Sequence, residues 1–96
     1  MIRHIVFFSA AKDGSVERIR EGLTRLADIG EAQRFEVLPN LKVDPFNRDV
    51  DLVVYAEFAD EAALERYKAH PIYAEVTQTV KPMRDLRFCA DIATEA

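Results

Sequence analysis

The amino-acid sequence predicts an α+β domain: a four-stranded antiparallel sheet in split β-α-β-β-α-β order, with helices on one face. Three observations predict it. Four short β-prone runs are interleaved with two segments whose apolar residues recur at helical spacing. The 96 residues amount to one small domain spanning 1–96. Two of the strands carry large apolar side chains on both faces, which one layer of helices cannot cover.

His4 to Ser9, HIVFFS, reads as the first strand, ended by AAKDG. In SVERIREGLTRLADIGE, Val16, Ile19, Leu23 and Leu26 fall on one face of a helix with Arg and Glu between them. Ser15 or Asp13 can cap its start, and Gly30 can adopt the left-handed conformation that ends it. Gly22 inside this helix costs about 1 kcal/mol relative to Ala, which points to a close approach of the helix to the sheet. Arg34 to Lys42, RFEVLPNLK, reads as an irregular or edge strand, because Pro39 cannot donate to a ladder; Asp44 to Arg48, DPFNR, is a turn.

Val50 to Phe58, VDLVVYAEF, is the strongest strand in the chain. From Ala59 the pattern is helical again, with Asp60 as the cap, Glu61 in the first turn and Ala63, Leu64 and Tyr67 as the inward stripe. That helix meets His70-Pro71 and ends there, since the residue before a proline is pushed out of the α region. A second short helix covers Ile72 to Val80, closed by Lys81-Pro82, and Leu86 to Ile92, LRFCADI, is the last strand.

The first strand sets Ile2, Val6 and Phe8 on one side and Ile5 and Phe7 on the other. The third sets Leu52, Val54, Ala56 and Phe58 against Val53 and Tyr55. A sheet wet on one face alternates cleanly, and these strands do not. Packing sheet against sheet in a two-fold homodimer covers the second face. Burying about 600 Å² of apolar surface there contributes at most roughly 15 kcal/mol per subunit before the costs of association.

Composition narrows the classes of function. Thirteen basic and seventeen acidic residues leave a net charge of -4, and no Lys/Arg run offers an electrostatic footprint for nucleic acid. The longest apolar runs, IVFF and LVVYA, fall far short of the ~20 residues that cross a bilayer, so no membrane partner is expected. MIRHIVFF lacks the long apolar core and cleavage pattern of a signal peptide, which points to the cytoplasm. The single Cys89 fits a reducing compartment and reads as a small buried hydrophobe. No metal is expected: the two histidines are far apart, and Asp44, Asp49 and Asp51 lack the glycine and terminal glutamate of a calcium loop. Three dispersed glycines form no phosphate loop, and neither Ser9 nor Ser15 sits in a nucleophile elbow.

The chemistry that stays open centres on YKAHPIYAEV, Tyr67 to Val76. His4 alternates with Ile2, Val6 and Phe8, so it shares their face. Tyr67 lies on the inward helical stripe, His70 one turn later and Tyr73 beyond the proline bend. His4, Tyr67 and either His70 or Tyr73 could therefore line one cavity. An imidazole exchanges a proton near neutral pH, and a phenol hydrogen-bonds an enolate or polarises a carbonyl, a pairing suited to enolisation or aldol-type ring closure. The structural alternative has His4 bonded to a carbonyl or water, Tyr67 as a buried ring and His70 on the last carbonyls of its helix. A mostly apolar cleft with two or three polar groups favours a small hydrophobic, aromatic or polyketide-like ligand over a sugar or a phosphate.

MIRHIVFF at the start, DLVVYAEFADEAALERYKAHPIY, VKPMRD and the terminal RFCADI together resemble the stress-responsive dimeric α/β-barrel family, or Dabb domain, over nearly the whole chain. The resemblance implies ferredoxin-like monomers joined through their sheets into a dimeric barrel, and no cofactor is expected, as in the plant cyclase of the family. Many members have no assigned reaction, and some are linked to stress responses. A plant member is a polyketide cyclase performing an aldol condensation with ring closure. Its pattern places a histidine on strand one, matching His4, and a tyrosine before the HP pair, matching Tyr67. It also has a catalytic histidine three positions after the HP histidine, where this chain has Tyr73; His70 matches the non-catalytic member of the pair. A phenol with a pKa of about 10 is a poor base at pH 7. Related dimeric barrels that oxidise polyketide quinols without a cofactor suggest a further enzymatic role, and a non-catalytic stress-associated module is the remaining one.

Overall fold

A computed structural model describes residues 1–95. In chain order the elements are β1 (Ile2–Ala10), α1 (Val16–Thr24), a 3₁₀ segment (Arg25–Ile29), β2 (Arg34–Pro39), β3 (Leu52–Phe58), α2 (Glu61–Ala69), α3 (Pro71–Val80) and β4 (Arg84–Ala93). The strands form one antiparallel sheet in the order β2-β3-β1-β4, the ferredoxin-like α+β arrangement. No helix among the described residues is long and apolar enough to cross a membrane.

Local chemistry explains most boundaries. The Ser15 hydroxyl accepts from the Arg18 N–H at 3.3 Å and starts α1; Asp13 takes no part. The helical periodicity predicts one α-helix running up to the Gly30 that ends it. Instead, the α-helix ends at Thr24 and tightens into a 3₁₀ segment that buries Leu26 and Ile29 before Gly30 turns the chain with φ 79°. Such tightening is common where a helix runs out of intrahelical partners. The close approach at Gly22 is to α3, not to the sheet: a Cβ there would lie 3.1 Å from a Val80 methyl. Asp60 caps α2 by accepting from the Ala63 N–H at 2.9 Å.

β1 and β3 are the central strands, and their alternation builds the core. Ile2, Val6 and Phe8 face the helices with Leu52, Val54, Ala56 and Phe58, packed against Ile19, Leu23, Leu64, Val76 and Val80. The register of β1 with β4 slips between Phe8 and Ala10. Side chains satisfy the amides exposed by that slip: the Asp51 carboxylate accepts from the Ala10 N–H at 2.8 Å, and the Ser9 hydroxyl accepts from the Leu86 N–H at 2.9 Å.

The opposite face of the sheet has no cover among the described residues. Phe7 is 39% exposed, Leu38 44%, Phe88 65% and Ile92 48%. The chain is a slab only 15 Å deep in its thinnest direction. Its accessible surface is 6211 Å², against about 5,600 Å² expected of a compact monomer of this mass. The two-sided strands predicted this naked face.

Candidate active site

His4 occupies the middle of a central strand, directly opposite Ala56 on β3 and Asp91 on β4. Its ring is 1% exposed, and its Nδ1 lies 2.5 Å from Asp91 Oδ1. The ring meets Tyr67 edge-on at 5.8 Å between centroids, and Tyr67 meets Tyr73 in the same way at 5.4 Å. Phe58 backs both His4 and Tyr67, at 6.1 and 5.0 Å. An open cavity of about 320 Å³ lies between the sheet and the helices. His4, Tyr67 and Tyr73 line it, with an apolar wall that includes Leu23, Leu26 and Val76.

Of the two residues that could complete the trio, the fold selects Tyr73. His70 turns away into the joint between α2 and α3. Its backbone N–H donates to the Tyr67 carbonyl at 3.3 Å, while its Nδ1 accepts from the Ile72 N–H at 3.1 Å. The ring therefore caps the start of α3 and does not sit on the last carbonyls of α2, which corrects the sequence expectation. Proline at the first position of α3 needs no donor partner, so one imidazole suffices there.

Burial holds the His4 pKa below the usual imidazole value, although Asp91 pulls it upward. Partial burial raises Asp91, but the His4 ring and the Lys68 ammonium outweigh it, and the carboxyl ends below its ordinary value. The consistent state at pH 7 is a neutral imidazole donating its Nδ1–H to a carboxylate, leaving Nε2 unprotonated. Lys68 Nζ reaches the other Asp91 oxygen at 3.5 Å. Burial, with the nearby Tyr73 adding to it, pushes the Tyr67 phenol far above its usual range, so it stays a donor at neutral pH. The Tyr67 residue is 1% exposed, and no group among the described residues hydrogen-bonds its hydroxyl. Because no fully sealed polar side-chain atom lacks a partner, that hydroxyl opens onto the cavity. The Tyr73 hydroxyl accepts a long hydrogen bond, 3.4 Å, from Arg87.

Two features escaped the sequence. Asp91 is 87 residues from His4, and only the antiparallel register of β1 with β4 aligns them. Cys89, expected as a buried hydrophobe, is exposed, because β4 is an edge strand whose helix-facing side is only partly covered. Its Sγ lies 3.6 Å from His4 Nδ1 and 3.8 Å from Asp91 Oδ2, and burial with the Asp91 charge raises its thiol pKa. His4, Cys89 and Asp91 are metal-ligating types with donors within 4.8 Å of one another, a grouping that no sequence motif signals. The carboxylate is already engaged by His4 and Lys68.

The family model of the stress-responsive A/B barrel domain, Dabb, matches residues 2–94. The chain belongs to the Dabb family. A Dabb protein with a ferredoxin-like fold from Mesorhizobium loti is 27% identical, with a TM-score of 0.79 over 99% of this chain and 97% of that one. A dimeric ferredoxin-like protein of unknown function from Jannaschia sp. CCS1 is 19% identical, with a TM-score of 0.85 over 97% and 98%. A proposed antibiotic biosynthesis monooxygenase from Nitrosomonas europaea is 21% identical, with a TM-score of 0.80 over the whole of both chains. At those identities the last two share the Dabb chain's fold. No curated protein matches the sequence. In this Dabb chain the YxxHP stretch supplies an inward phenol and a helix joint, and the imidazole at the cavity comes from β1.

Proposed function

We propose that two copies of this Dabb chain pack their naked sheet faces together, and that each copy holds a small apolar or aromatic carbonyl compound in its cavity. The dimer reading is supported by the exposed Phe7, Phe88, Leu38 and Ile92, and by the dimeric description of the Jannaschia relative. The binding reading rests on one observation: a buried phenol, Tyr67, with a free hydroxyl facing an open apolar cavity. A ligand carbonyl that accepts from it gains a net hydrogen bond of about 0.5–1.5 kcal/mol.

The His4–Asp91 pair favours a second, enzymatic reading in the same cavity. Neutral His4, oriented by Asp91, takes a proton from a carbon next to a carbonyl through Nε2. Tyr67 donates to the carbonyl oxygen as charge develops there, and Arg87, bonded to Tyr73, adds positive potential. The enolate carbon attacks a second carbonyl of the same molecule, a C–C bond closes the ring, and His4 returns the proton to the new alkoxide. The balance needs no oxidant and no cofactor. Tyr73 assists by placing Arg87 and closing the wall, not as the base.

Titration with 2-acetylnaphthalene, followed by fluorescence, tests the binding reading. The wild-type protein should bind it, and Tyr67→Phe should weaken binding roughly 2- to 10-fold, the worth of one hydrogen bond of about 0.5–1.5 kcal/mol, with an unchanged fold by circular dichroism. Equal affinity in the variant would remove Tyr67 from the site. No binding at millimolar ligand would reject the cavity as a binding site.

A further inference from the structure

The charges at the cavity do not match those of the chain. The protein carries a net charge of -4, yet the residues lining the cavity include Lys81, Arg84 and Arg87 and no Asp or Glu. None of the three takes part in an ion pair within 4 Å among the described residues. Lys81 follows the C-terminal end of α3, where the helix carbonyls offset part of its charge. Among the described residues Arg84 and Arg87 have no such compensation: both are half-buried on β4, and the only side-chain hydrogen bond of Arg87 is the long one to Tyr73. Asp85, between them, lines a different depression with Lys42 and Arg48. The Arg87 guanidinium reaches the Tyr73 hydroxyl, which places it on the Tyr73 side of the cavity.

A half-buried guanidinium without an anion is poorly solvated and presents a planar fork suited to a carboxylate. From this we infer that the ligand is an amphipathic anion: an apolar or aromatic body against Leu23, Leu26 and Val76, carrying one carboxylate held by Arg84 and Arg87. This rests on the cavity being a ligand site, and it names the ligand's chemical class. A carboxylate there would lie at the Tyr73 end of the cavity and leave the ligand's other end to Tyr67 and His4.

A matched pair of probes tests it: 2-naphthoate, ionised at pH 7, and 2-naphthamide, the neutral isostere. The expected result is binding of the acid about tenfold or more tighter than the amide, a difference of about 1.4 kcal/mol. That preference should shrink as salt rises. The double variant Arg84→Gln/Arg87→Gln should bind both probes with the amide's affinity, while Arg18→Gln, on the outer surface of α1, should keep the preference. Should the double variant fail to fold, salt dependence and the acid-to-amide ratio in the wild-type protein still decide. Equal affinities for acid and amide, or a preference that survives loss of both arginines, would overturn the inference and leave the cavity reading standing. Absence of binding by either probe and by 2-acetylnaphthalene would overturn both.

Discussion

Truncating Phe88 to alanine separates assembly from folding. Phe88 faces Phe7 across the β1–β4 pair on the naked side of the sheet and is 65% exposed in the single chain. A phenylalanine presents roughly 200 Å², so about 130 Å² remains to be covered, of which truncation removes roughly 100 Å². At about 25 cal/mol per Å² this is ~2.5 kcal/mol per site, and a two-fold dimer contains the site twice, giving ~5 kcal/mol as an upper figure. Every 1.4 kcal/mol is a factor of ten, so the dimer Kd should rise by roughly three orders of magnitude. Because the ring is exposed in the isolated chain, the truncation removes little intrachain packing. Sedimentation velocity across nanomolar to high micromolar protein reads the result directly. A Kd shifted less than tenfold, or a wild-type protein that is monomeric at micromolar concentration, would refute the sheet-to-sheet assembly.

Three further outcomes follow from the site and the fold. The folded-state pKa of His4 is lowered, so in the window below about 6.5 the unfolded chain binds more protons and stability falls as pH drops. His4→Gln should flatten that part of a pH series of urea midpoints, and an unchanged slope would contradict a buried neutral imidazole. On the enzymatic reading, Asp91→Asn should slow exchange of the α-hydrogens of 2-acetylnaphthalene with deuterated water by about 10- to 100-fold while leaving its affinity near wild type. NMR of the recovered ketone measures this, and exchange at the uncatalysed rate in wild-type protein would remove the proton-transfer role. Gly14→Ala should cost on the order of 2 kcal/mol or more by thermal melting, since its Cβ would run into the Met83 carbonyl oxygen, a backbone atom that cannot rotate away.

Local signals carried most of the fold. Ser15, Asp60, Gly30 and Pro71 mark helix ends through bonds and torsions within a few residues, and each works that way in the structure. Alternation in β1 and β3 announced both the core and the naked face, because strand period alone decides which side a residue meets. The site was legible only in part. Tyr67 was readable from its helical stripe, whereas the partner of His4 depended on a strand register set by the whole sheet. Nothing in the sequence singles out Arg84 and Arg87, because the cavity they line exists only once the helices pack beside β4. Gly22 was misplaced for a similar reason, since the helix it touches is a matter of packing between neighbours, whereas His70 was misread locally: its ring caps the helix that follows it and not the one before.

One residue, His70, ends α2 through its backbone N–H and begins α3 through its ring. With proline next in line, the backbone of the corner has few torsions left to vary, and from it the rings of Tyr67 and Tyr73 meet at an angle of 69° like two walls of a mitred box. The spacing of the two helix ends is therefore stiffer than the rings themselves, which turn about their own side-chain bonds. On the binding reading, a bulkier guest is accommodated by turning or trimming the ring at position 73 and not by bending the corner that carries it.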